Sequence, residues 1–499
     1  MKKIVIIGGG ISGLAAAFYL KRRARGSIDI TLIESAPRFG GKIISELERG
    51  FVIEGGPDSF LAKKSATLEL CTALGLDGHL LPSNSAGRTT YVWSGGVLRP
   101  MPEGMMLMAP TMVLPFLRSS LISWPGKLRM GMEMLIPPRG GNRGHDRGHH
   151  RTQSEDESLA SFVRRRLGAE ALEKIAAPLM AGIHAADPET LSIRSTFPMF
   201  PEMESKYGGL LRGLMMQRRA KDRINGKQTA QEKRVPMFVT LRGGLQELVD
   251  AMVARLQPGN MLLNHHVLAL ARNRDRYEIL LNDGMRIRAD EVVFATPAYA
   301  TADLVREIDP ELASKLRAIR YVSTATVSLG FRHCDIKRPL DGFGFVVPRG
   351  EQRRIMACSW SSVKFNHRAP ADCALLRVFV GGAGAEDLAE LDEAALVDLA
   401  RQELRATMGI TGKPLLTRAY RWSKANPQYE VGHQARVAEI DRMVASHPGL
   451  HLAGAGYHGA GIPDCIQSGA AVAQAIAQKY STYMDPSYDR NLSSSLCAR

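Results

Sequence analysis

The residues of this chain best suited to chemistry are glycines rather than nucleophiles or bases. Gly8, Gly10 and Gly13 stand at G-x-G-x-x-G spacing within Gly8-Gly9-Gly10-Ile11-Ser12-Gly13. At that spacing the first glycine permits a tight turn, the second lets a pyrophosphate approach the backbone, and the third lets a helix pack closely on a strand. Free N–H groups and the positive end of the following helix then hold the phosphates. Glu34 lies twenty-one residues past Gly13. A carboxylate there accepts hydrogen bonds from ribose hydroxyls and repels a 2′-phosphate. No motif contains a Ser-His-Asp set or paired carboxylates. The six cysteines (71, 334, 358, 373, 465 and 497) form neither a C-x-x-C nor a metal-ligand spacing. His145, His149 and His150 fall in a Gly- and Arg-rich stretch that reads as a loop rather than a metal site. No metal is expected, and the chemistry is assigned to a bound dinucleotide.

The elements that must position these residues follow from local patterning. Lys2-Lys3-Ile4-Val5-Ile6-Ile7 reads as a buried parallel strand, Leu14 to Leu20 as a helix, and Asp29 to Ile33 as a second strand ending at Glu34. Further on, Tyr277–Leu281 and Met285–Ala289 read as a hairpin around Asn282-Asp283-Gly284. Glu291 to Phe294 reads as another buried strand, and Ala325–Phe331, Phe343–Val347 and Leu375–Val380 as strands of a second α/β unit. The region from Cys71 to Leu191 reads as mostly helical, with Ser158 as a helix cap.

At 499 residues, 45% hydrophobic and 23% charged, the chain has room for two or three domains with a real core. No apolar run is long enough to span a membrane; the best, Met105 to Leu117, is broken by Pro110 and Pro115. The Met-rich stretch 101–108 could cap a cavity, touch a membrane surface or fill a core. The net charge of +15 is uneven, with nine Lys or Arg against Asp222 and Glu232 between Lys206 and Val235. That run could meet anionic lipid, a polycarboxylate or an acidic protein, or stay solvated. Nucleic acid is the least expected partner because no aromatic side chains interleave with the run to stack on bases. Entry into the first strand at Lys2 leaves no cleavable signal, and the cysteine usage suits a reducing cytoplasm. A cytoplasmic location is expected, with peripheral membrane contact left open.

Four further segments carry a resemblance. Ser35-Ala36-Pro37-Arg38-Phe39-Gly40-Gly41-Lys42 follows Glu34 directly and resembles the second FAD signature of the amine oxidase and phytoene desaturase superfamily. Gly55-Gly56-Pro57-Asp58-Ser59-Phe60-Leu61 and Pro427-Gln428-Tyr429-Glu430-Val431-Gly432-His433 resemble segments of bacterial porphyrinogen oxidases of haem biosynthesis. Gly461-Ile462-Pro463-Asp464-Cys465-Ile466-Gln467-Ser468-Gly469 matches that family's C-terminal flavin loop, although His458 and Ala460 stand where its members often carry Glu and Val.

The resemblance implies an α/β fold: a Rossmann-like FAD-binding domain (1–60, 236–300 and 420–480) interleaved with an α/β substrate-binding domain (61–70, 190–235 and 301–419). A mostly helical domain (71–189) with a disordered insert at 139–157 completes it, followed by a disordered tail, 481–499. The implied cofactor is non-covalent FAD. Its contacts would be Gly8, Gly9, Gly10, Ile11, Ser12, Gly13, Glu34, Ser35, Lys42, Gly56, Pro57, Asp58, Ser59, Val267, Trp422, Ile462, Pro463 and Asp464. Lys63 or Lys64 would meet a substrate propionate. The implied activity is six-electron oxidation of coproporphyrinogen III by O2, giving peroxide, with no catalytic side chain assigned. Protoporphyrinogen IX is the alternative substrate. An amine oxidase or carotenoid desaturase, and a non-enzymatic tetrapyrrole carrier, are the rivals. The implied partners are the tetrapyrrole, O2 and a transient contact with ferrochelatase or another haem-pathway enzyme.

Overall fold

A computed structural model describes residues 1–23, 28–84, 89–139, 156–216 and 236–480. Most of the 139–157 insert with its three histidines, most of the basic run 206–235, Cys497 and the tail 481–499 lie outside the described residues.

The organising element is a five-stranded parallel sheet in the order Met261–Leu262, Ile28–Ile33, Lys2–Ile7, Glu291–Phe294, Leu450–Leu452. Its central strand is apolar on both faces because both are covered, Ile4 and Ile6 on the helical side and Val5 and Ile7 on the side of the antiparallel strands Val267–Asn273, Arg276–Leu281 and Arg286–Ala289; Ile4, Val5 and Ile6 are fully buried. Burial of each such side chain contributes about 1.5–3 kcal/mol. On one face Ile11–Arg23 packs against the last helix, Ile462–Tyr480. Ile466, Gly469, Ala473 and Ile476 recur at three- and four-residue spacing and share the buried side of that helix. A Cβ on Gly469 would overlap the Ser12 carbonyl, so only glycine allows this approach. The strand Glu291–Phe294 begins with a fully buried carboxylate. Glu291 accepts from His451 Nε2 at 2.7 Å, Lys479 Nζ at 2.6 Å and the Tyr480 hydroxyl, which fastens the end of the last helix to the sheet.

A seven-stranded sheet forms the second layer. It runs Leu416–Pro427, Tyr321–Arg332, Cys373–Gly381, Ala357–Trp360, Gly342–Val346, Thr89–Ser94, Val97–Pro100. The strands expected at 325–331, 343–347 and 375–380 are all present. Three of its members correct the reading of the sequence. Thr89–Ser94 and Val97–Pro100 come from the region read as helical; they are joined by Gly95-Gly96, both at positive φ (63° and 77°), a tight hairpin turn. Leu416–Pro427, which carries Trp422, pairs with Tyr321–Arg332, so this stretch extends the second sheet rather than the parallel one. Leu80–Pro82 is also a strand, paired with Phe238–Leu241.

The helical unit is organised around a fully buried ion pair, Glu133–Arg166, with Arg166 Nε 2.8 Å from Glu133 Oε1. Glu133 also accepts from the Leu210 and Leu211 amides at 2.7 and 3.1 Å. Removing either partner would leave an uncompensated buried charge. At the edge of the expected insert, Asp156 and Glu157 are packed, not loose. Asp156 accepts from Ser192 and Gly432, and Glu157 pairs with Arg165.

Candidate functional site

Every glycine motif converges at the C-terminal ends of the parallel strands, where open α/β sheets bind ligands. The Gly8 amide donates to Ile33 O at 2.8 Å, and Gly40 donates to Gly9 O at the same distance. A Cβ on Gly13 would overlap the Gly8 carbonyl, and one on Gly9 would lie 2.5 Å from the Phe39 ring. A Cβ on Gly56 would overlap the Lys42 carbonyl. The loops 8–13, 40–42 and 55–56 are therefore mutually interlocked by backbone approach. Gly10 differs: a Cβ there meets nothing within 4 Å. Its open side faces the amino end of Ile11–Arg23, whose first turn holds no acidic residue. This is the cradle a pyrophosphate needs, with unsatisfied N–H groups at a positive helix end.

Glu34 sits at the lip of this cradle. One carboxylate oxygen accepts from the Gly9 amide at 2.7 Å; the other accepts from the Ala36 amide at 2.8 Å and Ser35 Oγ at 3.2 Å. The segment before Val267 runs alongside, with Glu34 donating to Leu262 O and accepting at its carbonyl from His265 N. Val267 itself is buried against Val5 and Ile33. The expected ribose and adenine residues are thus brought together. Lys42 Nζ donates to Ala425 O, and burial pulls its pKa down. That couples the second glycine motif to the Trp422 strand.

Gly55-Gly56-Pro57-Asp58-Ser59 is held through its carbonyls. Gly55 O accepts from Trp422 Nε1 at 2.9 Å, Thr326 Oγ1 at 2.8 Å and Arg377 Nη2 at 3.2 Å. Gly56 O accepts from Arg377 as well. Asp58 is bound by Lys364 Nζ at 3.0 Å to both oxygens and by Ser59 Oγ at 2.7 Å. Burial would raise the Asp58 pKa, but Lys364 and Arg377 hold it well below the usual carboxylate range. Beneath the turn, burial raises Glu54 to about 7 despite Arg368 at 3.3 Å. Lys364, Arg368 and Arg377 are the site residues the sequence reading missed. Each comes from a segment without a motif, and only the fold shows its partner.

The C-terminal loop Gly454–Gly461 faces the same space, and a Cβ on Gly454 would meet nothing within 4 Å. Ile462 and Pro463 are buried at the start of the last helix, with Asp464 in its first turn. Lys64, expected to face a propionate, grips Asp464, its Nζ 2.6 and 2.8 Å from the two oxygens. This ion pair engages the carboxylate of the C-terminal loop while leaving the Lys64 side chain half exposed. Lys63 is exposed. His458 is also exposed and lies 3.6 Å from Asp441, so it does not line an enclosed path. His184, which ends a helix near Lys64, is held neutral; burial, then Lys64, pulls its pKa to about 4.

The segment Pro427–His433 locks this loop in place. The Tyr429 hydroxyl donates to Ala455 O at 2.6 Å, and His433 Nε2 donates to Tyr457 O at 3.0 Å. The two rings stack at 4.1 Å. Burial lowers His433 to about 4, so it is neutral at pH 7. Among the described residues no cluster of three or more His, Cys, Asp or Glu could hold a metal ion.

A paired cradle and acid at strand ends, closed by a second sheet and a C-terminal helix, define a dinucleotide-dependent redox protein. The chain belongs to the flavin containing amine oxidoreductase family, whose profile matches residues 11–477. The Gly10 cradle and the carboxylate of Glu34 fit an adenine dinucleotide form of that flavin, FAD. The chain is 37% identical to the coproporphyrinogen III oxidase of Bacillus subtilis over 485 residues, covering 96% of this chain and 99% of that one. It is 31% identical to the protoporphyrinogen oxidase of Bos taurus, covering 94% and 97%. A crystal structure from Exiguobacterium sp. 255-15, assigned as a protoporphyrinogen oxidase, superposes with a TM-score of 0.81 at 32% identity, covering 96% and 99%. A UDP-galactopyranose mutase, at 16% identity and a TM-score of 0.67, shares the fold alone.

Proposed function

We propose that this chain is an FAD-dependent oxidase that converts coproporphyrinogen III to coproporphyrin III. The observation that carries the reading is the end-to-end match to the Bacillus subtilis coproporphyrinogen III oxidase, which leaves only 1% of that protein unmatched. Non-covalent FAD would supply the redox chemistry: loss of six hydrogens from the tetrapyrrole in three two-electron oxidations balances reduction of three O2 to three H2O2.

The chain's own residues bind and orient. The amides of Gly10 to Gly13 would take the pyrophosphate, with Gly9 held by Glu34, Glu34 and Ser35 would take the ribose, and Val267 the adenine end. Gly56, Pro57, Asp58, Ser59 and Trp422 would border the isoalloxazine, with Lys364 and Arg377 fixing that turn from behind. Ile462, Pro463 and Asp464 would address the pyrimidine with helix N–H groups, where negative charge grows on reduction. Lys42 would link the pyrophosphate side to the Trp422 strand. No side chain is assigned as acid or base. The division into FAD-binding, substrate-binding and helical parts belongs to the same proposal, with strands 89–100 and 416–427 moved to the substrate sheet. A location in the cytoplasm, contact with a haem-pathway enzyme such as ferrochelatase, and peripheral contact with a membrane complete it.

The Exiguobacterium neighbour favours a second reading, protoporphyrinogen IX as substrate. Coproporphyrinogen carries four propionates and protoporphyrinogen two, so a chain of net charge +15 with Lys63 exposed near the flavin turn suits the former. Steady-state oxidation of each by the holoenzyme tests this. Coproporphyrinogen III is expected to have the higher kcat/KM, with Lys63→Ala narrowing the gap. Equal values at low and high salt would defeat the preference.

A further inference from the structure

A buried charge is costly, so a surplus of them in one place calls for a reason. Arg377 stands in the strand Cys373–Gly381 of the seven-stranded sheet. Ala374, Leu376, Val378 and Val380 pack in the apolar core on one face, so strand alternation turns Arg377 and Phe379 to the other. Ser328 and Ser359 flank Arg377 in register on the two neighbouring strands. The arginine is 3% exposed. Its Nη2 donates to Gly55 O at 3.2 Å and to Gly56 O, and its guanidinium lies 4.9 Å from the Phe379 ring centre. Its Nε finds no hydrogen-bond acceptor among the described residues.

Two more cations share this layer. Arg368, 2% exposed, donates to Thr240 Oγ1 at 2.7 Å and to Glu54 at 3.3 Å. Lys364, with its side chain 13% exposed, holds both oxygens of Asp58 at 3.0 Å. Against the three cations stand two carboxylates. Burial works against the charge on Asp58, and Lys364 and Arg377 outweigh it. Glu54 differs: burial raises it to about 7, in spite of Arg368, Ser45, the Leu245 amide and Arg377. Tyr420, whose ring lies against Gly55, is pushed up by burial and stays neutral. Beyond it, Arg418 is paired with Glu46 and Glu48. Around neutral pH the layer behind the Gly55–Ser59 turn therefore carries between one and two excess positive charges.

We propose that Arg377, at the centre of this buried positive layer, is a positioning residue that raises the electron affinity of the flavin bordered by the turn. The inference rests on the reading that FAD lies along Gly55–Ser59. A hydride taken up by the ring adds one negative charge to it. Fixed cations shielded from water favour that charge strongly, and they need no rearrangement when it appears. By binding the Gly55 and Gly56 carbonyl oxygens, Arg377 also neutralises the negative ends of two peptides of the turn. Trp422 and Thr326 donate to Gly55 O as well, so the turn stays fixed while its charge environment is set from behind.

The test is the midpoint potential of bound FAD, measured on the full-length holoprotein by anaerobic titration against a reference dye. Arg377→Met removes the charge and keeps an unbranched side chain. It should weaken binding of reduced relative to oxidised FAD at least about tenfold, a midpoint about 30 mV lower for a two-electron couple. Arg377→Lys, which keeps the charge, should recover most of that shift. Glu54→Gln should act with the opposite sign. At about pH 8.5, where the parent Glu54 is ionised, reduced FAD should gain about threefold, a midpoint about 15 mV higher. At about pH 6, where the parent Glu54 is protonated, variant and parent should coincide. A merely structural role gives no such opposition of sign. Glu54→Gln keeps every cation and decides the question if Arg377→Met does not fold. Flavin-loaded variants at the parent midpoint, or shifted in the same direction, would overturn the proposal. A parent protein that takes up no FAD would overturn it together with the functional reading. The expected shifts in a protein that oxidises no porphyrinogen would leave the role of Arg377 standing and count against the oxidase reading alone.

Discussion

Glu34 shows how one side chain serves both the fold and the ligand. Its carboxylate closes the glycine loop through the Gly9 and Ala36 amides, at 2.7 and 2.8 Å, and keeps lone pairs for a ribose. Hydrogen bonds to a charged acceptor contribute about 1.5–3 kcal/mol each. Glu34→Gln keeps the shape but removes the charge, so FAD affinity should fall roughly ten- to a hundredfold. Calorimetric titration of the apoprotein measures this; an unchanged Kd in a folded protein would mean that the ribose is held elsewhere. Lys64 teaches the opposite lesson at this scale. Its neighbours in sequence suggest a substrate contact, whereas it pairs with Asp464 from the far end of the chain.

At the scale of elements, the segment Pro427–His433 is the clamp on the flavin loop. Tyr429 and His433 hold carbonyls two residues apart, Ala455 and Tyr457, while the Tyr429 carbonyl accepts from Ser192 N on the helical side. Tyr429→Phe deletes one hydroxyl and leaves the half-buried Ala455 carbonyl without that donor, at a cost of about 1–3 kcal/mol. Flavin affinity should drop roughly five- to a hundredfold while far-ultraviolet circular dichroism stays the same. Undiminished affinity would show the loop to be fixed by other contacts. The glycine motifs and parallel strands were legible in the sequence because each is a local backbone requirement that only particular residues meet. The hairpin at Gly95-Gly96 was missed, because the surrounding helical pattern outweighed its β-branched and aromatic flanks. The pairs Asp58–Lys364 and Glu54–Arg368 were not legible. Each joins residues more than three hundred positions apart, and no spacing rule connects them.

For the whole molecule, the first and last thirds of the chain are joined at the parallel sheet, and Glu291 is the charged part of that joint. Burial would raise its pKa, but hydrogen bonds from His451, Lys479 and Tyr480 outweigh this and lower it from 4.5 to about 2. A carboxylate depressed in the folded state contributes stability that is present above pH 4.5 and lost as the pH falls toward 2. The contribution is about 3 kcal/mol. Glu291→Gln should lower the Tm at pH 7 and flatten the acid-induced loss in that window. A parallel Tm profile for variant and parent would contradict the assignment. The same joint assembles the flavin site from both ends of the chain, so the central claim concerns what that site oxidises. Anaerobic mixing of the holoprotein with coproporphyrinogen III, followed through the visible flavin absorbance, tests it most directly. The account predicts that the flavin bleaches with coproporphyrinogen III, more slowly with protoporphyrinogen IX and not with amines, and that its colour returns when O2 is admitted. A flavin that keeps its colour with both porphyrinogens, or bleaches with amines instead, would contradict it.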